Sequence, residues 1–167
     1  MRILGIDPGL EHTGWGIVES LGSRISFLAA GVINTSPKIS MPQRLVKIEA
    51  GLIEVLGLWK PETAAVEETF VNKNAASSLK LGQARGITLL VPARAGLDVA
   101  EYSTNLIKKS VVGNGHADKT QIGMMVRMLL PNCGEHGLDA CDALAVAICH
   151  AHHAQSSHTI RNALKGQ

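Results

Sequence analysis

The chain has 167 residues, enough for one domain with a sizeable core and short for a two-domain enzyme. Hydrophobic residues make up 46% of it, which excludes a disordered chain, while the 3% aromatic content predicts an aliphatic core. A net charge of +2 does not by itself indicate a polyanionic partner. The longest apolar run, "ALAVAIC", is too short to span a bilayer, so we expect a cytoplasmic protein with no membrane association and three reduced cysteines.

Three strands and a helix are predicted first. "RILGI", "GWGIV" and "SRISFLAA" are short strand-like segments separated by turn residues, and their closeness predicts an antiparallel meander. Asp7-Pro8-Gly9 closes the first strand. A helix is predicted over residues 42–57, with Ser40 as its cap. Its buried face is predicted to carry Leu45, Ile48, Leu52, Ile53 and Leu56.

Strands then alternate with helices. The predicted elements are a strand "TAAVEE", a helix from 75 towards 90, a strand "LDVAEY", a helix through 112, a helix to about 130, and a helix from near 138. Pro92 is expected to end or kink the first of these helices. Ser103 or Thr104, and then Asp118, are the predicted caps of the next two. This order predicts an α/β layer fold with a mixed sheet, in one domain over 1–153, and a mobile tail over 154–167.

Basic residues concentrate in the middle of the chain. Residues 69–127 contain eight lysines and arginines against three acids, whereas the remainder is net negative. A polyanion held on one surface would explain this separation, and so would solvated helix faces.

Four acids are predicted to meet on this scaffold. Asp7 lies at the end of the first strand and Glu67 near the end of the fourth, while Asp139 and Asp142 share the first turns of the last helix. Residues three apart on a helix have Cβ atoms roughly 5–6 Å apart, so both aspartates can point at one spot. Converging carboxylates repel unless a cation lies between them, and oxygen ligands select Mg²⁺ or Mn²⁺. Four carboxylates leave room for two ions about 3.5–4 Å apart, the arrangement that hydrolyses phosphodiesters.

The last segment, with its acids, cysteines and histidines, has two interpretations other than a site for a hard metal ion. Acids in the first helical turn also complement the helix dipole without any metal. A zinc site built from cysteines and histidines is disfavoured, because no Cys-x-x-Cys pair is present and Cys141 and Cys149 are spaced like helix-interior fillers. The histidines at 150, 152, 153 and 158 are expected to form a solvated helix end and tail.

Four blocks of the sequence resemble the RuvC family of Holliday-junction resolvases. They are "GIDPGLEHTGWGIV", "VEETFVNKNAASSLKLGQARG", "IKKSVVGNGHADKTQIGMMVRMLL" and "LDACDALAVAICH", in the family's order. The resemblance covers residues 2–153 and implies an RNase H-like fold with a mixed sheet flanked by helices. It also implies a homodimer that makes paired, Mg²⁺-dependent nicks in opposed strands of a four-way DNA junction, leaving 5′-phosphate and 3′-hydroxyl ends. Two ions per site are expected, with Mn²⁺ as an alternative.

The resemblance also assigns residues. The family's metal-binding and catalytic acids correspond to Asp7, Glu67, Asp139 and Asp142, with Glu67 favoured over Glu68 by the strand ending "AAVE". Lys119 matches a basic position expected to neutralise the reacting phosphate. Phe70 is expected to stack on unpaired bases, although a hydrophobic contact at the helix start is the alternative. The further candidate DNA contacts are Lys73, Asn74, Lys80, Arg85, Lys108 and Lys109, with Lys108 favoured over Lys109.

Some features leave alternatives open. Pro92 puts the size of a dimer contact through the helix from 75 in doubt, and the loop "PNCGEHG" carries His136, which is free to touch the site. "GIDPGLEHTGWG" also resembles the phosphate loop of actin-like ATPases, and a junction-binding protein without catalysis is a second rival. A branch-migration motor of the RuvA/RuvB type is a further expected partner.

Overall fold

A computed structural model describes residues 1–68 and 74–165, with side chains through Ala154. The described residues form five strands and five helices. They are β1 (Arg2–Asp7), β2 (His12–Leu21), β3 (Arg24–Asn34), α1 (Met41–Trp59), β4 (Thr63–Glu68), α2 (Ala75–Arg94), β5 (Asp98–Ser103), α3 (Thr104–Val112), α4 (Lys119–Leu129) and α5 (Leu138–Lys165). No helix in this part of the chain is both long and apolar enough to cross a membrane.

The sheet is mixed, in the order β3-β2-β1-β4-β5. The first three strands form the predicted antiparallel meander, and β4 and β5 add in parallel on the other side of β1. Parallel neighbours need crossover connections, and the helices between β3, β4 and β5 supply them. The predicted α/β fold with a mixed sheet is confirmed.

Helices cover both faces of this sheet. Leu4 and Ile6 point into a core shared with α1 and α2, whereas Ile3 points into a second core shared with α3, α4 and α5. The alternation follows from the two-residue repeat of a strand, and it lets β1 serve both cores. Few aromatic rings take part, so the core is aliphatic as predicted.

Helix ends agree well with the predicted caps. Ser40 precedes α1, Ser103 caps α3 by accepting from the Leu106 N–H, and Asp118 caps α4 by accepting from the Gln121 N–H. One predicted core position of α1 is wrong, because Ile53 is 53% exposed while Val55 is buried. Val55 lies nearer the stripe defined by Ile48 and Leu52, which turns Ile53 towards solvent.

Of the two effects expected of Pro92, which were to end or to kink α2, the first does not occur. The helix continues to Arg94, and it ends where Gly96 adopts a left-handed conformation with φ of +85°. Pro92 lies in the last turn, where loss of one N–H removes one hydrogen bond, and its ring is buried beside Val91. Packing against the core therefore outweighs the local preference of proline.

The last helix is longer than predicted. Its backbone continues beyond His153 to Lys165, through a stretch that contains neither proline nor glycine before Gly166. A helix has no local reason to stop in such a stretch even where its apolar periodicity ends. The domain boundary at 153 and the mobility of the tail stay predictions.

Candidate active site

An open cavity of about 480 Å³ lies where β1 and β4 end. Its wall carries the carboxylates of Asp7, Glu67 and Asp142 together with the side chains of Lys108 and Lys119. Residues from the first turns of α3, α4 and α5 also line it. Helix N-termini carry partial positive charge, so the cavity combines acids that favour a cation with surroundings that favour a bound phosphate.

Strand parity brings Asp7 and Glu67 to the same side of the sheet. Ile3 and Ala65 pack in the core shared with α5, so Asp7, four positions after Ile3, and Glu67, two positions after Ala65, face α5 as well. Parallel register pairs Ile3 with Thr63, which places the ends of β1 and β4 side by side. Glu68 points away from α5 by the same alternation and reaches the cavity wall only because it ends the strand.

Glycines let α5 lie directly on the sheet. A Cβ atom at Gly14 would be 2.0 Å from the Asp139 carbonyl oxygen, and one at Gly5 would be 2.2 Å from the Ala143 carbonyl oxygen. Neither atom can move without moving the helix backbone, so any side chain here would push α5 away. Gly14 pairs with Asp7 in the sheet. The close approach of α5 at Gly14 therefore brings Asp139 and Asp142 beside Asp7.

Burial, reinforced by repulsion from neighbouring acids, raises the pKa values of Asp7 and Glu67. The pKa of Asp7 is raised to about 8, chiefly by burial and then by the charges of Glu67, Asp142 and Asp139, while Lys119 opposes the shift. Burial also raises the pKa of Glu67, against a hydrogen bond from Thr104 that lowers it. A proton held between Asp7 and Glu67 relieves part of the repulsion, as a cation would.

Two of the acids have protein partners. The Lys119 Nζ donates to Asp142 Oδ2 at 3.2 Å, and the pKa of Lys119 is raised chiefly by that carboxylate. The Thr104 hydroxyl donates to Glu67 Oε1 at 2.5 Å. Asp139 does not line the cavity, although its charge is felt by Asp7.

The donor chemistry fits a hard divalent cation. Within residues 1–68 and 74–154, no three His, Cys, Asp or Glu side chains are close enough together to form a ready-made metal site. Mutually repelling carboxylates spread apart and take other partners, as Asp142 and Glu67 do here. The half-buried acids still surround one cavity with oxygen donors, which suits Mg²⁺ or Mn²⁺ and disfavours zinc.

Comparison with known proteins identifies the family. The pattern described as "Crossover junction endodeoxyribonuclease RuvC" matches residues 3–150. A protein of that name from Mesorhizobium japonicum is 58% identical, over 99% of this chain and 98% of its own. The chain belongs to the RuvC family. A second RuvC, from Allorhizobium ampelinum, is 54% identical with the same coverage.

A solved RuvC structure gives the same result for the fold. The T. thermophilus RuvC in complex with a Holliday junction substrate matches with a TM-score of 0.87 and 35% identity, over 94% of this chain and 96% of that one. The RNase H-like fold is therefore confirmed. Membership of this nuclease family implies a divalent metal requirement, and neither the ATPase nor the non-catalytic binder is favoured.

Only some of the described residues expected to contact DNA lie at the cavity of this RuvC-family chain. Lys108 and Lys119 lie at the cavity, whereas Lys109 and Lys80 are exposed outside its wall. Two other candidates have protein partners. Asn74 caps α2 by accepting from the Ala76 and Ser77 N–H groups, and Arg85 forms an ion pair with Glu101. Phe70 and Lys73 lie outside the described residues.

Sequence reasoning missed Thr104 as a member of the site. The sequence predicts Thr104 only as an alternative cap of α3, a role that belongs to Ser103. Its contact with Glu67 depends on the register that pairs Glu67 with Tyr102 across β4 and β5, and no local pattern reports that register. The dipeptide "ST" after a strand was the one available signal.

The prediction of solvated histidines is wrong for His150. Its Nδ1 lies 2.8 Å from the Tyr102 hydroxyl and its Nε2 lies 3.0 Å from the Thr63 hydroxyl, while burial lowers its pKa. The His153 ring stacks on Tyr102 with centroids 5.2 Å apart. Because α5 crosses the whole sheet, its middle turns are packed where a helix end would be solvated.

The cysteines and His136 lie away from the cavity. Cys133, Cys141 and Cys149 are buried free thiols, as expected for apolar fillers. His136 packs against Phe27 with ring centroids 5.4 Å apart and does not line the cavity.

Proposed function

We propose that this chain resolves four-way DNA junctions by paired nicks in two opposed strands, leaving 5′-phosphate and 3′-hydroxyl ends. The observation that carries the proposal is the cavity where half-buried acids from β1, β4 and α5 face two lysines. Family membership supports the reaction class. The junction-bound relative from T. thermophilus supports the choice of substrate.

Asp7, Glu67, Asp139 and Asp142 would hold the metal, with Mg²⁺ as the proposed ion, two per site, and Mn²⁺ as the alternative. When bound, the ions activate the attacking water and stabilise the leaving oxygen of the phosphodiester. Asp7 is the central ligand in this proposal, because it lies deepest and feels the charge of the other three acids. No residue of the chain needs to form a covalent bond with DNA.

Two lysines are proposed to handle the negative charge of the reacting strand. Lys119 is paired with Asp142 in the absence of metal, and a cation at that carboxylate would release it towards phosphate. Lys108 lines the same cavity from α3. Phe70 is proposed to stack on unpaired bases, while Lys73, Lys80 and Lys109 contact the backbone further out. Asn74 and Arg85 are weaker candidates because capping and an ion pair already employ them.

Symmetry explains how two strands are cut. A homodimer with a twofold axis places two identical cavities opposite symmetry-related strands of the junction. We propose that α2 forms part of the dimer surface, since Leu79 and Leu90 are exposed on it. A branch-migration motor of the RuvA/RuvB type is the proposed further partner, and the cytoplasm is the proposed location.

The deciding experiment is a nicking assay on a mobile four-way junction beside a linear duplex, with and without Mg²⁺. The wild-type chain is expected to nick only the junction, and only with metal. Asp7→Asn should abolish cleavage and retain junction binding, whereas Asp98→Asn, an exposed acid at the start of β5, should cleave normally. Equal cleavage by Asp7→Asn and the wild type would refute the assignment.

A further inference from the structure

Thr104 contributes a hydroxyl that the fold does not otherwise need. It is the first residue of α3, but the helix is capped by Ser103, whose side chain accepts from the Leu106 N–H. The Thr104 hydroxyl instead donates to Glu67 Oε1 at 2.5 Å. A hydroxyl has one proton to give, so this hydrogen bond commits it to Glu67.

Glu67 has two hydrogen-bond partners, the Thr104 hydroxyl and, while a proton is shared, Asp7. A bound cation would displace that proton, and Thr104 is the partner that would remain. Glu67 reaches the cavity from a strand end through three rotatable bonds, among like-charged neighbours that would push it aside. Asp7 is held by burial, and Asp142 is held by Lys119. Thr104 is the neutral partner that fixes one oxygen of Glu67 without neutralising its charge.

The backbone makes Thr104 a rigid support. Strand register pairs Glu67 with Tyr102 and Glu68 with Ser103, so α3 begins directly beside the end of β4. Thr104 and Lys108 are four residues apart and both line the cavity, so one face of α3 presents a hydroxyl to the acid and a charge to the substrate side.

We propose that Thr104 is a positioning residue, which holds the Glu67 carboxylate in the orientation that binds the divalent ion. This inference rests on the proposed function, because it takes Glu67 as a metal ligand. Supporting hydrogen bonds of this kind fix the orientation of a ligating carboxylate and so raise metal affinity. Neighbouring groups that orient ligands act without touching metal or DNA themselves.

The test compares Thr104→Val, which keeps the shape and removes the hydroxyl, with Thr104→Ser, which keeps the hydroxyl. Asn105→Ala is the matched control, because Asn105 is exposed in the same turn of α3. Mn²⁺ binding is measured without DNA from the electron paramagnetic resonance of free Mn²⁺, and the Mn²⁺ midpoint of junction cleavage is measured in parallel. Thermal unfolding establishes that each variant is folded.

Thr104→Val is expected to raise both Mn²⁺ midpoints about 10-fold, while Thr104→Ser and Asn105→Ala stay within about 2-fold of the wild type. Wild-type Mn²⁺ binding by Thr104→Val would overturn the inference, and so would an equal shift in Thr104→Ser. Asp7→Asn is run beside them to separate the two levels of the argument. Cleavage by Asp7→Asn refutes the proposed function, whereas an inactive Asp7→Asn with a wild-type-like Thr104→Val refutes only the role of Thr104.

Discussion

The fold disfavours the charged form of Asp7. Asp7 lies half-buried at the end of the central strand, near three other carboxylates, and its pKa is raised from 3.8 to about 8. Between these two values the folded chain keeps a proton that the unfolded chain releases. Asp7 therefore contributes a stability to the metal-free protein that is lost as the pH rises from about 4 to 8, whereas the lowered pKa of His150 acts in the opposite direction.

We predict that Asp7→Asn stabilises the metal-free protein. Asparagine cannot ionise, so the variant should exceed the wild type by about 1–2 kcal/mol in free energy of unfolding at pH 8, and by less at pH 6. Urea unfolding in the presence of a chelator measures both values. Added Mg²⁺ should then stabilise the wild type more than the variant, because only the wild type retains the central ligand. A variant less stable than the wild type at pH 8 would contradict this account, and Asp98→Asn is the control for loss of an exposed acid.

At the level of elements, the contact between α5 and the sheet decides where the last two acids lie. Gly14 and Gly5 allow this contact, since the helix backbone occupies the space that side chains would fill. Gly14, in the "GLEHTGWG" segment, therefore contributes to the site because it has no side chain to push α5 away.

Gly14→Ala is predicted to damage both stability and catalysis. Its Cβ would overlap the Asp139 carbonyl, so the start of α5 must shift, at about 1–3 kcal/mol in stability. A displacement of about 1 Å at Asp139 and Asp142 should lower the cleavage rate on the order of 100-fold. Chemical unfolding and the junction assay measure the two effects.

Gly57→Ala in α1 is the matched control for the Gly14 substitution. No atom lies within 4 Å of a Cβ there, so the change should be neutral or stabilise the helix by up to about 1 kcal/mol. Normal cleavage by Gly14→Ala would show that the close approach does not position the acids.

Elements with strong local signals could be predicted from the sequence. Caps such as Ser40 and Asp118 and the short loops between β1, β2 and β3 are local features, and the structure agrees with them. The expectations of a helix end at Pro92 and of a solvated His150 fail for a shared reason, because tertiary packing overrides what neighbouring residues suggest. The placement of Asp7, Glu67 and Asp142 at one cavity follows from strand ends and helix spacing, whereas Thr104 depends on strand register, which no local pattern encodes.

At the scale of the whole molecule, α2 is the proposed dimer surface. Leu79 and Leu90 are 67% and 50% exposed on a helix that otherwise packs mainly against α1. Apolar side chains are equally exposed on α1, at Val46, Ile53 and Leu58, so the choice of α2 rests on the resemblance of its sequence to the family and not on exposure alone.

We predict that Leu79→Glu combined with Leu90→Glu converts a dimer into a monomer and abolishes paired nicking, because buried charges without partners destabilise an interface. Sedimentation equilibrium measures the mass, which should halve. Leu58→Glu, at a 69% exposed position on α1, should leave the dimer intact. A double variant that still sediments as a dimer would place the interface elsewhere.

The acids of the cavity come from β1, β4 and α5, near the beginning, the middle and the last quarter of the chain. Asp142 is therefore synthesised only after most of the polypeptide has been made. A chain that ends before α5 contains only Asp7 and Glu67 of the four acids proposed to hold the metal. Half-made or truncated copies should consequently be harmless to the chromosome, and cutting ability should appear in a single late step of synthesis.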